Sequence, residues 1–293
     1  MDERAMENMN RRREELLSDP EGMVRRVGEH VNRILRENLY EMNLNAAQLN
    51  RLARQKKELR DNLARCGVGD ELAKAYVLEF LQESLLKLFH LDERTIDDTF
   101  YFRDKGKKNP EYLFDRLLYL YKKKHGQEAL RVLIEENRLL EGTKNRITEK
   151  DILTVYERHK KPLSFVEKLE LLTWKIYSAY KGLGIIDELR DMNIDGVSGG
   201  VSGSPGDHHS AWMFYQGRSV HLEFLDFKSE RELERICRAI CRYEQPGELS
   251  KARGYLVHEM ADHSRVVVAR PDFAESWMFF VRKLGAGGKR ALA

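Results

Sequence analysis

A chain of 293 residues, 42% hydrophobic and 34% charged, can bury one or two ordinary cores. Its 51 basic and 48 acidic residues leave a formal charge of only +3, which describes helices with solvated faces rather than a dedicated nucleic-acid grip. Three cysteines (Cys66, Cys237, Cys241) do not make a disulfide framework, MDERAMENMNRRREE lacks a signal-peptide core, and no run nears the roughly 18 apolar residues of a membrane span, so the sequence reads as soluble and cytosolic.

Residues 1–162 read as helix after helix. AYVLEFLQESLLKLFHL carries apolar residues at three- and four-residue spacing, the stripe of a helix packed on neighbours. The lysine clusters KGKK (105–108) and YKKKH (121–125) could touch phosphates, but Glu111 and Asp115 intervene and no aromatic signature accompanies them. They read as solvated. Asn109 before Pro110 predicts a helix start and Gly126 a left-handed stop. Thr148 with Asp151 predicts the start of another helix, and Ser164 with Glu167 a capping box. In the helix that follows, Phe165, Leu169, Leu172, Ile176 and Tyr180 share a face, and Gly182 and Gly184 end it.

Beyond this point the period changes. DGVSGGVSG (195–203) is the most glycine-dense stretch and is expected to be a structural turn leading into AWMFYQG, the first clear strand. AWMFYQG and RSVHLEF predict a hairpin about Gly217, and GYLVHEM, SRVVVAR and SWMFFVRKL predict further strands. One helix lies between these sets, from Ser229 to about Tyr243, opened by a second capping box of Ser229 with Glu232. The chain is therefore expected to be α+β: an all-helical region over 1–162, a small domain with a mainly antiparallel sheet over 163–284, and the start of a linker at 285–293.

Several familiar chemistries fail on residue type. A Walker A loop needs a lysine and a hydroxyl after its last glycine to reach phosphate and magnesium. DGVSGGVSGSPG has no lysine, and KLGAGGKRALA places Arg290 after Lys289 where Ser or Thr is required, with Lys283 at the position of the first glycine. Cys237 and Cys241 stand four apart, as metal ligands can, yet share a stripe with Leu233, Ile236 and Ile240 and read as core filling. His208 and His209, beside Asp207, read as solvated. No catalytic residue and no metal site is expected.

Three stretches together resemble a known family: GLGIIDELRDMNIDGVSGGVSG (182–203), FKSERELERICRAICRY (227–243) and VHEMADHSRVVVARPDFAESWMFFVRKL (257–284). The ordered residues Gly182, Gly184, Asp187, Leu189, Ser229, Glu232, Leu233, Ser264, Arg265, Val266, Arg282 and Lys283 are similar to the pattern of the N-terminal region of type II/type IV secretion traffic ATPases. The branch indicated assembles Flp (tight-adherence) pili in bacteria. The turn Asp262-His263 departs from the family's Asp-Gly.

The resemblance implies a PAS-like domain over 163–284 that acts as a regulatory lid, clamping nucleotide and coupling it to an assembly platform. Arg265 and Arg282, with Arg270 as a third candidate, would contact nucleotide phosphates. Without the family, Arg265 and Arg282 read as surface residues paired with carboxylates such as Glu259 or Asp272. The implied partners are a P-loop ATPase domain, in the same chain or an adjacent subunit of a hexamer, and an inner-membrane platform protein. The implied location is the cytoplasmic face of that membrane, and no nucleic acid is involved. ATP and magnesium belong to the full-length motor. This chain has neither Walker A nor Walker B and is expected to be inactive alone, a fragment whose last residues begin a linker. The alternative is a stand-alone cytosolic scaffold protein that lost its ATPase domain.

Overall fold

The computed structural model describes residues 13–66, 69–103, 109–201, 209–241, 249–260 and 262–283. The KGKK cluster at 105–108, Asp207 and His208, the expected helix end at Tyr243 and the linker at 285–293 lie outside them. Among the described residues a helical stretch at 13–17 is followed by α1 (Pro20–Arg36), α2 (Ala46–Arg65), α3 (Glu71–Phe89), α4 (Pro110–His125) and α5 (Ala129–Glu136). Then come α6 (Glu149–His159), α7 (Phe165–Tyr180), α8 (Asp187–Asp191) and α9 (Glu230–Ile240). The strands are β1 (Arg146–Ile147), β2 (Gly196–Gly199), β3 (Ser210–Tyr215) and β4 (Arg218–Asp226), then β5 (Tyr255–Glu259), β6 (Arg265–Ala269) and β7 (Met278–Arg282). The fold is thus mixed helix and sheet with a helical first half, and no described helix is long and apolar enough to cross a membrane.

Contacts divide the chain into two compact units that interleave along the sequence rather than following the cut expected at 162. One unit comprises Met1–Cys66, Glu71–Lys107 and Pro162–Lys181. Here α7 packs against α1 and α3, while α2 packs on α3. The reason is apolar spacing: Met23, Val27 and Val31 on α1, Leu81 and Leu85 on α3, and Leu172 and Ile176 on α7 are all fully buried. Gly28 lets α1 approach α7, because a Cβ there would stand 3.2 Å from the Tyr180 ring.

The second unit comprises Gly67–Asp70, Lys108–Lys161 and Gly182–Ala293. Its seven-stranded sheet has the order β1-β4-β3-β2-β7-β6-β5. Every pairing is antiparallel except β1 with β4, which sets Arg146 beside His221. Helices α4–α6 join this unit because Phe114 of α4 packs on Phe224 of β4, ring centroids 4.8 Å apart, and the segment between α5 and α6 supplies β1. Helix α9 lies on β6 and β7.

The helix caps follow the sequence. Asn109 accepts a hydrogen bond from the Glu111 N–H ahead of Pro110. Thr148 with Asp151 and Ser164 with Glu167 form reciprocal boxes. The box expected at Ser229 is half made: Ser229 accepts from the Glu232 N–H, but the Glu232 carboxylate accepts from the Lys228 N–H instead. The hairpin β3–β4 turns through Gln216 and Gly217, at φ 49° and 75°, the two positive angles of a twist-compatible turn.

One expectation is overturned. The glycine-rich stretch is not a turn before the first strand, since Gly196–Gly199 is β2, a fully buried central strand between β3 and β7. Crowding explains why glycine suits a strand it usually weakens. A Cβ on Gly199 would collide with the Phe227 ring and reach within 2.8 Å of Phe279 Cε1. Gly200, at φ +76°, ends the strand with its Cα facing the Trp277 carbonyl oxygen.

Candidate functional site

Strand alternation builds the site. Val266 and Val268 of β6, and Phe279 and Val281 of β7, are completely buried on the helix-backed face. Arg265 and Val267, and Phe280 and Arg282, therefore occupy the opposite, open face. The register sets Arg265 directly opposite Arg282, with Glu259 of β5 beyond Arg265 and Gly196 of β2 beyond Arg282. A neighbouring row runs across all seven strands as Arg146, His221, Trp212, Ser198, Phe280, Val267 and Val257. In it Trp212 stacks on His221 with centroids 4.6 Å apart, and Phe280 stacks on Phe214 of the adjoining row at 6.2 Å.

Arg265 and Arg282 are both exposed, and neither makes a hydrogen bond or ion pair with another described residue. The carboxylate pairing expected of them is not formed. Glu259 instead approaches His263 Nδ1 at 2.5 Å. His263 carries φ 63° in place of the expected glycine, and its turn is held by the Met260 carbonyl, which accepts from the His263 N–H, and by Asp262, which accepts from the Ser264 N–H. Two like charges opposite one another on adjacent strands repel. A bound anion would turn that repulsion into attraction.

Arg270 does not join them. It lies just past the far end of β6, five residues and so about 16 Å from Arg265 along the strand. There its guanidinium sits 5.7 Å from the Trp277 ring, which Arg238 of α9 also approaches at 5.2 Å. Its Nε is buried without a partner among the described residues.

The other residues of the ordered pattern have structural work. Gly184, at φ +59°, admits the Glu232 carboxylate, 2.7 Å from where a Cβ would stand. The Gly182 carbonyl accepts from Arg235, and Asp187 accepts from the Leu183 N–H. Leu189, Leu233, Val266 and Ser264 are buried, Ser229 caps α9, and Lys283 Nζ donates to the carbonyls of Arg190 and Met192 at the end of α8. Arg265 and Arg282 alone in that pattern are without such a role among the described residues.

Other polar clusters are internally satisfied. Carboxylate oxygens of Asp187, Glu188 and Asp191 lie within 4.8 Å of one another, a spacing a metal could use. Asp187, however, accepts from the Leu183 N–H, Glu188 pairs with Lys122 at 2.6 Å, and Asp191 pairs with Arg190 at 2.7 Å. Burial pulls the Arg190 guanidinium down, but Asp191, Asp262 and Asp187 outweigh it and hold it above its usual value. Cys237 on α9 and Cys241 at its C-cap are free and buried as core, and burial pushes both thiols up, Cys241 to about 12. The His209 carbonyl accepts from the Phe227 N–H, extending the β3–β4 pairing. In the YKKKH cluster, Lys122 bonds Glu188 and Lys123 lies over Tyr119.

The sequence singled out both arginines but not their mutual opposition. The runs Val266-Val267-Val268 and Phe279-Phe280-Val281 carry no phase in sequence, and it is the burial of Val266 and Val281 with the strand register that puts both side chains on one face. No protein-family model matches the chain, and no curated protein is significantly similar to it.

Proposed function

We propose that the sheet unit is a PAS-like lid of a secretion or pilus-assembly motor, presenting Arg265 and Arg282 to nucleotide phosphates held by a P-loop domain. That domain belongs to the same chain or to a neighbouring subunit of a hexamer. The observation that carries this reading is the exposed, uncompensated pair of guanidinium groups on adjacent strands. The helix-backed antiparallel sheet supports the PAS-like assignment, and the order of Gly184, Glu232, Arg265 and Arg282 supports the traffic-ATPase resemblance. Guanidinium groups on a lid would neutralise charge spreading over a transferring phosphoryl group. The unit would then couple nucleotide state to an inner-membrane assembly platform, working at the cytoplasmic face. ATP and magnesium would enter only with the P-loop domain.

Alone, the 293-residue chain should turn over no ATP. Combined with the P-loop domain of its motor it should raise turnover, and Arg265→Ala or Arg282→Ala should cut that gain at least tenfold, as loss of a transition-state charge partner does. Unchanged gain in both variants, or magnesium-dependent turnover by the chain alone, overturns the proposal. A second reading, an interaction scaffold without a motor, draws on Tyr255 and Val257, 60% and 65% exposed on the same open face. A scaffold would leave turnover unchanged while binding a protein through those residues.

A further inference from the structure

The helical unit contains a groove that the arginine pair does not explain. Its walls are α2 and α3, and its end is closed by the last turn of α1 and the turn beyond it. The cavity measures about 570 Å³. Its floor is apolar: Ile34, Leu39, Leu52, Leu59 and Phe80. Its rim is acidic, with Glu37, Glu58, Glu79 and Glu83 against Lys56 and Lys87. Lys87 is paired with Glu83, Glu58 with Arg54, and Lys56 donates to the Glu37 backbone carbonyl. Glu37 and Glu79 have no described counter-ion. Tyr76, also on the rim, has its hydroxyl pushed up first by burial and then by Glu58 and Glu79.

The shape is elongated. Along α3 the lining runs from Tyr76 to Lys87, about 16 Å at the rise of a helix and so three turns long. Beside its closed end, Tyr40 is 86% exposed and Met42 39% exposed, extending apolar surface out of the groove. We infer that this groove docks an amphipathic helix of a partner protein, with lysine or arginine flanking an apolar stripe about three turns long. An apolar trough between two helices accepts anchors at i, i+3 or i+4, and i+7. The uncompensated carboxylates select basic flanks and reject acidic ones. This inference does not depend on the lid reading and concerns the other unit.

The test uses the whole chain and two 15-residue synthetic peptides, one with leucine at i, i+3, i+4 and i+7 and lysine elsewhere, the other with glutamate for lysine. Fluorescence anisotropy of each labelled peptide is read at low and high salt. The lysine peptide should bind saturably and more weakly at high salt, and the glutamate peptide should not bind. The paired exposed changes Glu79→Lys and Glu83→Lys should weaken binding by about tenfold, the sum of two rim charges reversed. Circular dichroism should remain native. Arg265→Ala should leave binding unchanged, which separates this outcome from the fate of the lid proposal.

Equal binding of both peptides, or full binding by the charge-reversed variant, overturns the inference. So does saturation of the groove by dodecylamine without any peptide binding, which would assign it to a small cationic amphiphile. Self-association abolished by the same two changes would assign it to a second copy of the chain, also against the inference.

Discussion

The two faces of the sheet obey different constraints. On the helix-backed face Val197, Met213, Val220, Val266, Val268, Phe279 and Val281 are each completely buried, so volume and shape dictate their identity. On the open face Arg265, Val257 and Tyr255 stand in solvent, and packing dictates little. A side chain there is free to serve a partner, which is why two facing arginines say more than any buried polar residue of the unit.

Adjacent residues test that contrast most strongly. Phe279 and Phe280 are neighbours on opposite faces. Phe279→Ala should lose about 3–5 kcal/mol in denaturant unfolding, the cost of a core aromatic. Phe280→Ala, which loses mainly its stack on Phe214, should lose about 1–2 kcal/mol. Equal losses would mean that the open face is as packed as the other.

Alkaline titration sharpens it next. Cys237 and Cys241 face the helix-backed core, and burial holds Cys241 at about 12 against an ordinary 9.0. A raised value in the folded state means a contribution fully present below pH 9.0 and lost as pH rises towards about 12, because unfolded thiolates are favoured there. Stability should fall across that window. Cys241→Ala should flatten the slope, and an unaltered slope would show that the thiol is not buried in solution.

The smallest effect lies on the open face. A double-mutant cycle on Arg265→Ala and Arg282→Ala should give a repulsive coupling of roughly 0.2–1 kcal/mol that shrinks with added salt. An attractive coupling would reveal an anion already shared between them.

Much of the fold was legible because the sequence carries local signals. Thr148, Ser164 and Asn109 mark helix starts through side-chain geometry, and β5 to β7 are rich in β-branched and aromatic residues. What escaped was non-local. β2 looked like a turn because its glycines answer to Phe227 and Phe279, which are distant in sequence, rather than to neighbours. β1 escaped because two residues, Arg146 and Ile147, form a strand only against β4. The grouping of α7 with α1 and α3 was hidden because an apolar stripe states that a helix packs without stating on what. At the site, the arginines could be named from their order, while their juxtaposition needed the register.

The central place of β2 has a consequence for synthesis. One neighbour, β3, leaves the ribosome soon after it, but the other, β7, is the last strand of the sheet to emerge. Until then one edge of a glycine-rich strand stays unzipped, so the sheet closes late and by a distant pairing, the kind of step that slows folding and invites chaperone capture of nascent chains.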